Sequence, residues 1–410
     1  MSKIIRSLNI ITTYSMYALV FIIPFSNAGI EIFGSIGIVA WVVKKVLLWL
    51  KDKTFQKYAY KYNFIFFALG VFIFINFLSC LFSFSFSHSI KALFTKTIEY
   101  ALFFLIVVDM FSEQKRLKIL ISVLLASFSL MCLDAAIQYY AGFDLIRKYP
   151  LHLDYMITAS FLHHNDFGNY LITYIPLLFG LAAGKKYFFK YRFMFFILFL
   201  AAFIALIFSY VRASWIAFLI SMSFFTFALN KKIFACFLAI LLITSFFMPQ
   251  KVESRVKEIN SMETLYSEYR IGLWQEAIKM IKERPFLGWG INTYTLVAPN
   301  FKVHPRGGIY SHNSYLQMAA EIGVIGLGTF LLFLFRIFAK ARSSFKKTKD
   351  EFYKIILLSL VSGIIAYLVN AFFDTSLYAL KIVTIFWITA GILVAVCNIS
   401  EEELESDSAG

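Results

Sequence analysis

The chain has 410 residues, 60% of them hydrophobic, 19% aromatic and only 15% charged, with a mean hydropathy of +0.74. A soluble domain is about half apolar and about a quarter charged, so an ordinary soluble fold is excluded and an all-α polytopic membrane protein is expected. The formal net charge of +15 sits in short loops between apolar stretches, which is a topology signal and argues against a nucleic-acid partner.

Apolar stretches long enough to cross the hydrocarbon fall near 8–24, 28–50, 63–83, 91–110, 118–139, 165–184, 192–210, 212–229, 232–248, 312–339, 355–373 and 380–397, about twelve transmembrane helices in all. The first ends in Pro24-Phe25-Ser26-Asn27 without a small-residue cleavage site and reads as a retained span. The stretches meeting at Tyr210-Val211-Arg212 would make one helix of about 38 residues, too long for one bilayer, so two spans joined by a tight turn are expected there. Cys80, Cys132, Cys236 and Cys397 all lie in apolar stretches and read as small buried hydrophobes.

Alternate loops differ in charge. One set carries Lys51, Lys53, Lys57 and Lys61, then Lys115, Arg116 and Lys118, then Lys185, Lys186, Lys190 and Arg192, then Lys231 and Lys232, and last Lys340 through Lys349. In the other set, 24–28, 84–90 and 374–379 have neither Lys nor Arg. The positive-inside rule then puts both termini in the cytoplasm and the connections 141–164 and 249–311 on the exterior or periplasmic side. The expected organisation is spans one to nine in 1–248, a large periplasmic loop in 249–311, the last three spans in 312–400 and an acidic cytoplasmic tail in 401–410. Two amphipathic helices are expected in the large loop. One carries Val252, Val256 and Ile259; the other carries Ile271, Trp274, Ile278 and Ile281 opposed by Glu276, Lys279, Lys282 and Glu283. Pro285 ends the second, and Gly288-Trp289-Gly290 turns the chain back.

Three residues at the expected outer interface can act together. Arg212 lies in the turn between two spans, Arg270 in the second amphipathic helix, and His312 where the loop enters the tenth span. Singly, each is accounted for as an interfacial anchor, a solvated helix-face charge and a histidine satisfied by backbone carbonyls. Together, two arginines can grip a diphosphate bidentately, and a neutral imidazole can take a proton from an incoming hydroxyl. That set suits transfer from a lipid-linked diphosphate donor.

Asn370 and Asp374 share a helix face and could hold an arginine or orient the base, or simply make an interhelical hydrogen bond. Asp134 and Gln138 repeat that spacing at the outer end of the fifth span, and Glu99 within the fourth must be paired or protonated. Glu321, nine residues after His312, points roughly the opposite way on a straight helix and is assigned to packing or a partner helix. His163-His164-Asn165-Asp166 does not form a convincing ligand set, so no metal site and no cofactor are expected.

These residues resemble the O-antigen ligase family, which includes O-antigen polymerases and bacterial protein O-oligosaccharyltransferases. Ser209-Tyr-Val-Arg212-Ala-Ser-Trp215 is similar to its arginine turn, and Arg270-Ile-Gly-Leu-Trp274 through Arg284-Pro-Phe-Leu-Gly-Trp-Gly290 to its large outer loop. His312-Asn313 followed by Glu321-Ile-Gly323-Val-Ile-Gly326 is similar to its histidine motif. Phe161-Leu-His-His-Asn165 resembles a further element, with His164 where proline is usual. The resemblance implies a metal-independent, inverting glycosyl transfer on the periplasmic face from a glycan on undecaprenyl diphosphate. By it, Arg212 and Arg270 bind the diphosphate, and His312 activates the acceptor hydroxyl. Asn313, Asn165, Asp374 and Glu321 are candidates for support. The partners expected are that donor, a lipid A–core or glycan acceptor, and membrane lipids. A ligase onto the lipid A core is the first reading, because the single large loop falls late, between the ninth and tenth spans. An O-antigen polymerase is the alternative. A protein O-oligosaccharyltransferase ranks below, since the chain ends soon after the twelfth span. A lipid–glycan transporter also ranks below, since the charged candidates cluster at one face.

Overall fold

In lipid every backbone N–H and C=O must be satisfied within the segment, and an apolar run therefore folds as a helix. A computed structural model describes residues 2–52, 63–151, 156–184, 189–245, 253–254, 265–303 and 309–409. In chain order its helices are α1 (Ser2–Ile22), α2 (Asn27–Asp52), α3 (Asn63–Leu81), α4 (Phe86–Ala92), α5 (Glu99–Met110), α6 (Gln114–Ala141), α7 (His164–Ala183), α8 (Arg192–Phe208), α9 (Arg212–Leu229), α10 (Lys231–Ser245), α11 (Leu265–Glu283), α12 (Tyr294–Val297), α13 (Ser314–Lys347), α14 (Glu351–Ala371) and α15 (Leu380–Ala409). A π-helical turn, Leu93–Ile98, joins α4 to α5. Among the described residues there is no strand, only an isolated bridge between Phe143 and Pro150.

The protein is an all-α polytopic membrane protein. Eight of these helices (α1, α2, α3, α6, α9, α13, α14 and α15) are long and apolar enough to cross a membrane, and α8 is a shorter apolar helix. Among the described residues, helices lie at each of the twelve stretches expected from sequence, but α4–α5, α7, α8 and α10 do not reach that length and hydropathy as single helices. The tight turn at Tyr210 is present. There α8 stops at Phe208, Tyr210 adopts φ +54°, and α9 starts at Arg212.

α15 is apolar all round over Ile382 to Val396, and its hydrophobic window is 100% buried. A helix with no polar face belongs inside a bundle. It packs against α5, α13 and α14, and α14 in turn packs on α7 and α9. Small residues let these backbones approach: a Cβ on Gly363 would lie 2.1 Å from the Thr173 carbonyl oxygen of α7. Three cysteines are buried, but Cys236 is exposed, because α10 contacts only α9 and turns one side outward.

Loop contacts sort the helix ends into two groups. At one end Gln114 Nε2 donates to the Tyr353 hydroxyl (2.8 Å), Asn398 Nδ2 to Ser112 Oγ (3.0 Å), and Lys340 pairs with Glu401 (2.9 Å). At the other, Lys381 Nζ donates to the carbonyls of Pro24 (2.7 Å) and Ser160 (3.1 Å), and Phe84 N to Trp289 O (2.8 Å). The loops 24–28, 84–90 and 374–379, which lack Lys and Arg, thus share one end.

The large loop departs from its expected pattern. α11 buries Leu273, Glu276, Ala277 and Met280, while Ile271 is 46% and Ile278 41% exposed. The reason is Glu276, whose Oε1 accepts the Val303 N–H at 2.9 Å. Turning this carboxylate inward rotates the helix, so Ala277 and Met280 meet Trp289, Tyr294, Val297 and Ala320. The helix expected around Val252, Val256 and Ile259 lies outside the described residues.

Candidate active site at the loop-rich end of the bundle

His312 is held from both sides. Ser311 Oγ donates to the Asn313 carbonyl (2.8 Å) and accepts the Asn313 N–H (3.2 Å), while the Asn313 side chain caps α13 by accepting the N–H groups of Tyr315 and Leu316 at 3.0 Å. An N-cap of this type satisfies donors that the first helical turn leaves open. Between these fixed points His312 adopts φ +49°, a left-handed conformation uncommon for a non-glycine residue. Asn313 therefore positions the histidine and caps the helix.

The imidazole meets Asp374. His312 Nδ1 lies 3.2 Å from Asp374 Oδ1, with the side chains 35% and 16% exposed. The turn carrying Asp374 is stitched to α13, because Ser314 N and Oγ both donate to the Asp374 carbonyl (3.2 and 2.8 Å) and Ser314 Oγ accepts the Leu377 N–H (3.3 Å). Burial pushes the Asp374 carboxyl up, but the His312 imidazole, the Thr375 N–H and the Arg270 charge outweigh it and leave the carboxyl below its ordinary range. An ionised carboxylate at Nδ1 favours the tautomer with the proton on that nitrogen, so Nε2 keeps a lone pair for a substrate.

Arg270 approaches the same carboxylate from α11, which is fixed there by Trp274 against Phe372, edge to face at 5.5 Å between ring centroids. Arg212 opens α9 on the neighbouring turn. Two residues on, Ser214 Oγ accepts from Asn370 Nδ2 at 3.0 Å, tying the arginine turn to the end of α14. Asn370 thus makes an interhelical hydrogen bond, and Asp374 hydrogen-bonds His312. Asn165, in the first turn of α7, is half-buried, and its neighbour Asp166 interacts electrostatically with Asp374 and Lys381.

Glu321 is not part of this group. It is 2% exposed and accepts the N–H groups of Asn292 (2.8 Å) and Tyr294 (3.3 Å), while its carbonyl accepts Gly290 N (2.7 Å). Asn292 Oδ1 also accepts from Lys96 Nζ (2.7 Å) of the π turn, beside a cavity of about 70 Å³ lined in part by Asn76, Lys96, Glu321 and Tyr378. α13 breaks at Gly323 (φ +73°, ψ 173°) where Phe286 crosses it, and a Cβ there would lie 1.9 Å from the Phe286 carbonyl oxygen. The Glu321–Gly323 pair is therefore a clamp on the large loop.

Against this geometry, known proteins can be compared. Residues 196–331 match the family model described as O-Antigen ligase. That stretch is similar to the O-antigen ligase family. The matched range holds Arg212, Arg270, His312 and Glu321, whereas Asn165 and Asp374 lie outside it. A protein of Rickettsia typhi (strain ATCC VR-144 / Wilmington), provisionally named a polysaccharide ligase, is 26% identical over 277 residues. The alignment covers 63% of this chain and 64% of that relative, just under two thirds of its length.

Lys381 and Asp166 are what the sequence reading passed over. Lys381 stands at the loop-rich end of α15, just after the 374–379 loop that carries neither Lys nor Arg, and that exception to the charge pattern was the available signal. Asp166 was weighed only as a metal ligand, and its electrostatic interaction with Asp374 emerges when α7 packs on α14.

Proposed function

We propose that this protein is an inverting glycosyltransferase that moves a glycan from undecaprenyl diphosphate to a hydroxyl of the lipid A core on the periplasmic face. The observation carrying this reading is the His312–Asp374 pair, 3.2 Å apart, with Arg270 acting on the same carboxylate and Arg212 opening the adjoining turn.

The acceptor O–H gives its proton to His312 Nε2 as its oxygen attacks the anomeric carbon of the donor. The new carbon–oxygen bond forms on one face while the bond to the diphosphate oxygen breaks on the other. The bonding pair leaves on undecaprenyl diphosphate, and the anomeric configuration inverts. Arg212 and Arg270 grip the diphosphate and stabilise the charge that develops on it. Asp374 stabilises the imidazolium formed at His312 and holds the ring. In this mechanism Glu321 acts only by fixing the loop that carries Arg284 through Gly290.

The test is competition between two acceptors. Purified protein receives an undecaprenyl-diphosphate glycan together with lipid A core and a second lipid-linked glycan. Transfer to the core supports the ligase. Chain growth on the lipid carrier makes the enzyme a polymerase, the reading that uses the same residues with a different acceptor.

A further inference from the structure

The connection after α6 is a small, rigid knuckle. Asp144 is fully buried and its carboxylate accepts the N–H groups of Ile146 (3.0 Å), Arg147 (2.5 Å) and Tyr149. Asp134, also fully buried, accepts Leu145 N (2.7 Å) and the Ser160 hydroxyl (2.6 Å). Gly142 at φ +82° and Lys148 at φ +61° complete the turn, which Asp144 N closes onto Tyr149 O at 3.0 Å. Two buried carboxylates thus hold a loop whose side chains at Phe143, Leu145, Ile146, Arg147 and Lys148 all point outward and are exposed.

That outward set distinguishes this connection from the short loops at this end: 24–28, 84–90 and 374–379 carry no Lys or Arg, while the large loop has basic residues of its own, Lys279, Lys282 and Lys302 among them. In the knuckle adjacent basic residues flank exposed aromatic and aliphatic groups at the end of a span, with Tyr140 87% exposed beside them. Such a surface suits a phosphate at headgroup level with acyl chains below it. The knuckle borders the candidate site: its Asp134 accepts from the Ser160 hydroxyl and the Ser160 carbonyl accepts from Lys381, which is attracted by Asp166 and repelled by Arg147, while Asp166 lies within electrostatic reach of the like-charged Asp374. It enters from the α6–α7 side, whereas the arginines assigned to the donor come from α9 and α11.

Resting on the ligase reading above, we propose that residues 142–150 are the docking surface for the acceptor glycolipid, Arg147 and Lys148 receiving its headgroup phosphate and Phe143, Leu145 and Ile146 its apolar flank. The acceptor is then chosen partly by its phosphate, at a surface separate from the donor's diphosphate grip.

The experiment uses full-length protein in nonionic detergent, titrated with phosphorylated lipid A core, its dephosphorylated form and phosphatidylglycerol, with bound lipid counted by native mass spectrometry. The expected result is preference for the phosphorylated glycolipid and at least tenfold weaker binding by Arg147→Gln/Lys148→Gln, while Lys302→Gln binds as wild type. A benzophenone amino acid at Ile146 should cross-link to the bound glycolipid, which keeps the test valid if the double variant fails to fold. Unchanged affinity in a folded double variant, no cross-link, or equal displacement by phosphatidylglycerol overturns the proposal. Binding as expected without any transfer supports the docking surface and removes the ligase reading instead.

Discussion

Asp374→Asn isolates the orienting carboxylate. Asparagine keeps the main-chain carbonyl that accepts Ser314 N and Oγ, and its side-chain oxygen can still accept Thr375 N–H, a bond of 2.8 Å in the wild type. What it loses is the negative charge opposite His312 Nδ1 at 3.2 Å. A charge-assisted hydrogen bond is roughly twice as strong as a neutral one, and net values of about 1.5–3 kcal/mol against about 1 place the difference near 1–2 kcal/mol. Because His312 is 35% exposed, the lower part of that range applies. The expected effect on kcat is therefore about 5- to 13-fold, with little change in KM for the donor. His312→Ala should cost about 10²–10⁴-fold, the usual range for a positioned acid–base group. The decisive assay is the double variant in a purified transfer assay. If Asp374 acts through His312, His312→Ala/Asp374→Asn is no slower than His312→Ala alone. Multiplying effects would refute the orienting role and leave Asp374 as a structural anchor.

The depressed Asp374 carboxyl sets a sign for pH. Its stabilising contribution is fully present above the ordinary carboxylate range and is lost only as pH falls through the still lower folded value. The melting temperatures of wild type and Asp374→Asn in detergent should therefore differ by a constant amount over about pH 5–8 and converge below about pH 4. Gly323→Ala should destabilise by about 3 kcal/mol or more, since it combines a glycine-type conformation with a Cβ 1.9 Å from the Phe286 carbonyl oxygen. Gly328→Ala, with nothing within 4 Å of the added carbon, is the control and should melt as wild type. Glu321→Ala leaves the Asn292 and Tyr294 N–H groups without their acceptor, at about 1–3 kcal/mol each, and limited proteolysis should cut 284–303 faster. Arg212→Lys should lower transfer at least tenfold if a bidentate grip is required, and activity equal to wild type would leave only a positive anchor. Transfer should also survive EDTA, and loss restored by a divalent ion would remove the metal-free mechanism.

Sequence periodicity and loop charge located the helices because both report on the solvent around each segment. The break at Tyr210 was legible from length alone, and Asp374 as a partner for the base from its place at the outer end of α14. The orientation of α11 was not. Its apolar residues lie on two faces, and the choice between them rests on Glu276 meeting a backbone N–H 27 residues away. The π turn that brings Lys96 to Asn292 is equally silent, since one extra residue in a helical turn has no residue type of its own to announce it. Gly323 stood in the sequence only as part of the stretch similar to the family's histidine motif, and the crossing of Phe286 reveals it as a break. Long-range backbone contacts decided each of these.

The most direct measurement follows labelled glycan leaving undecaprenyl diphosphate in proteoliposomes containing wild type or His312→Ala, with lipid A core as acceptor. One equivalent of undecaprenyl diphosphate released per glycan joined to the core, and at least a hundredfold slower reaction in a folded variant that still binds donor, is the result predicted here. Transfer by His312→Ala at the wild-type rate would contradict it.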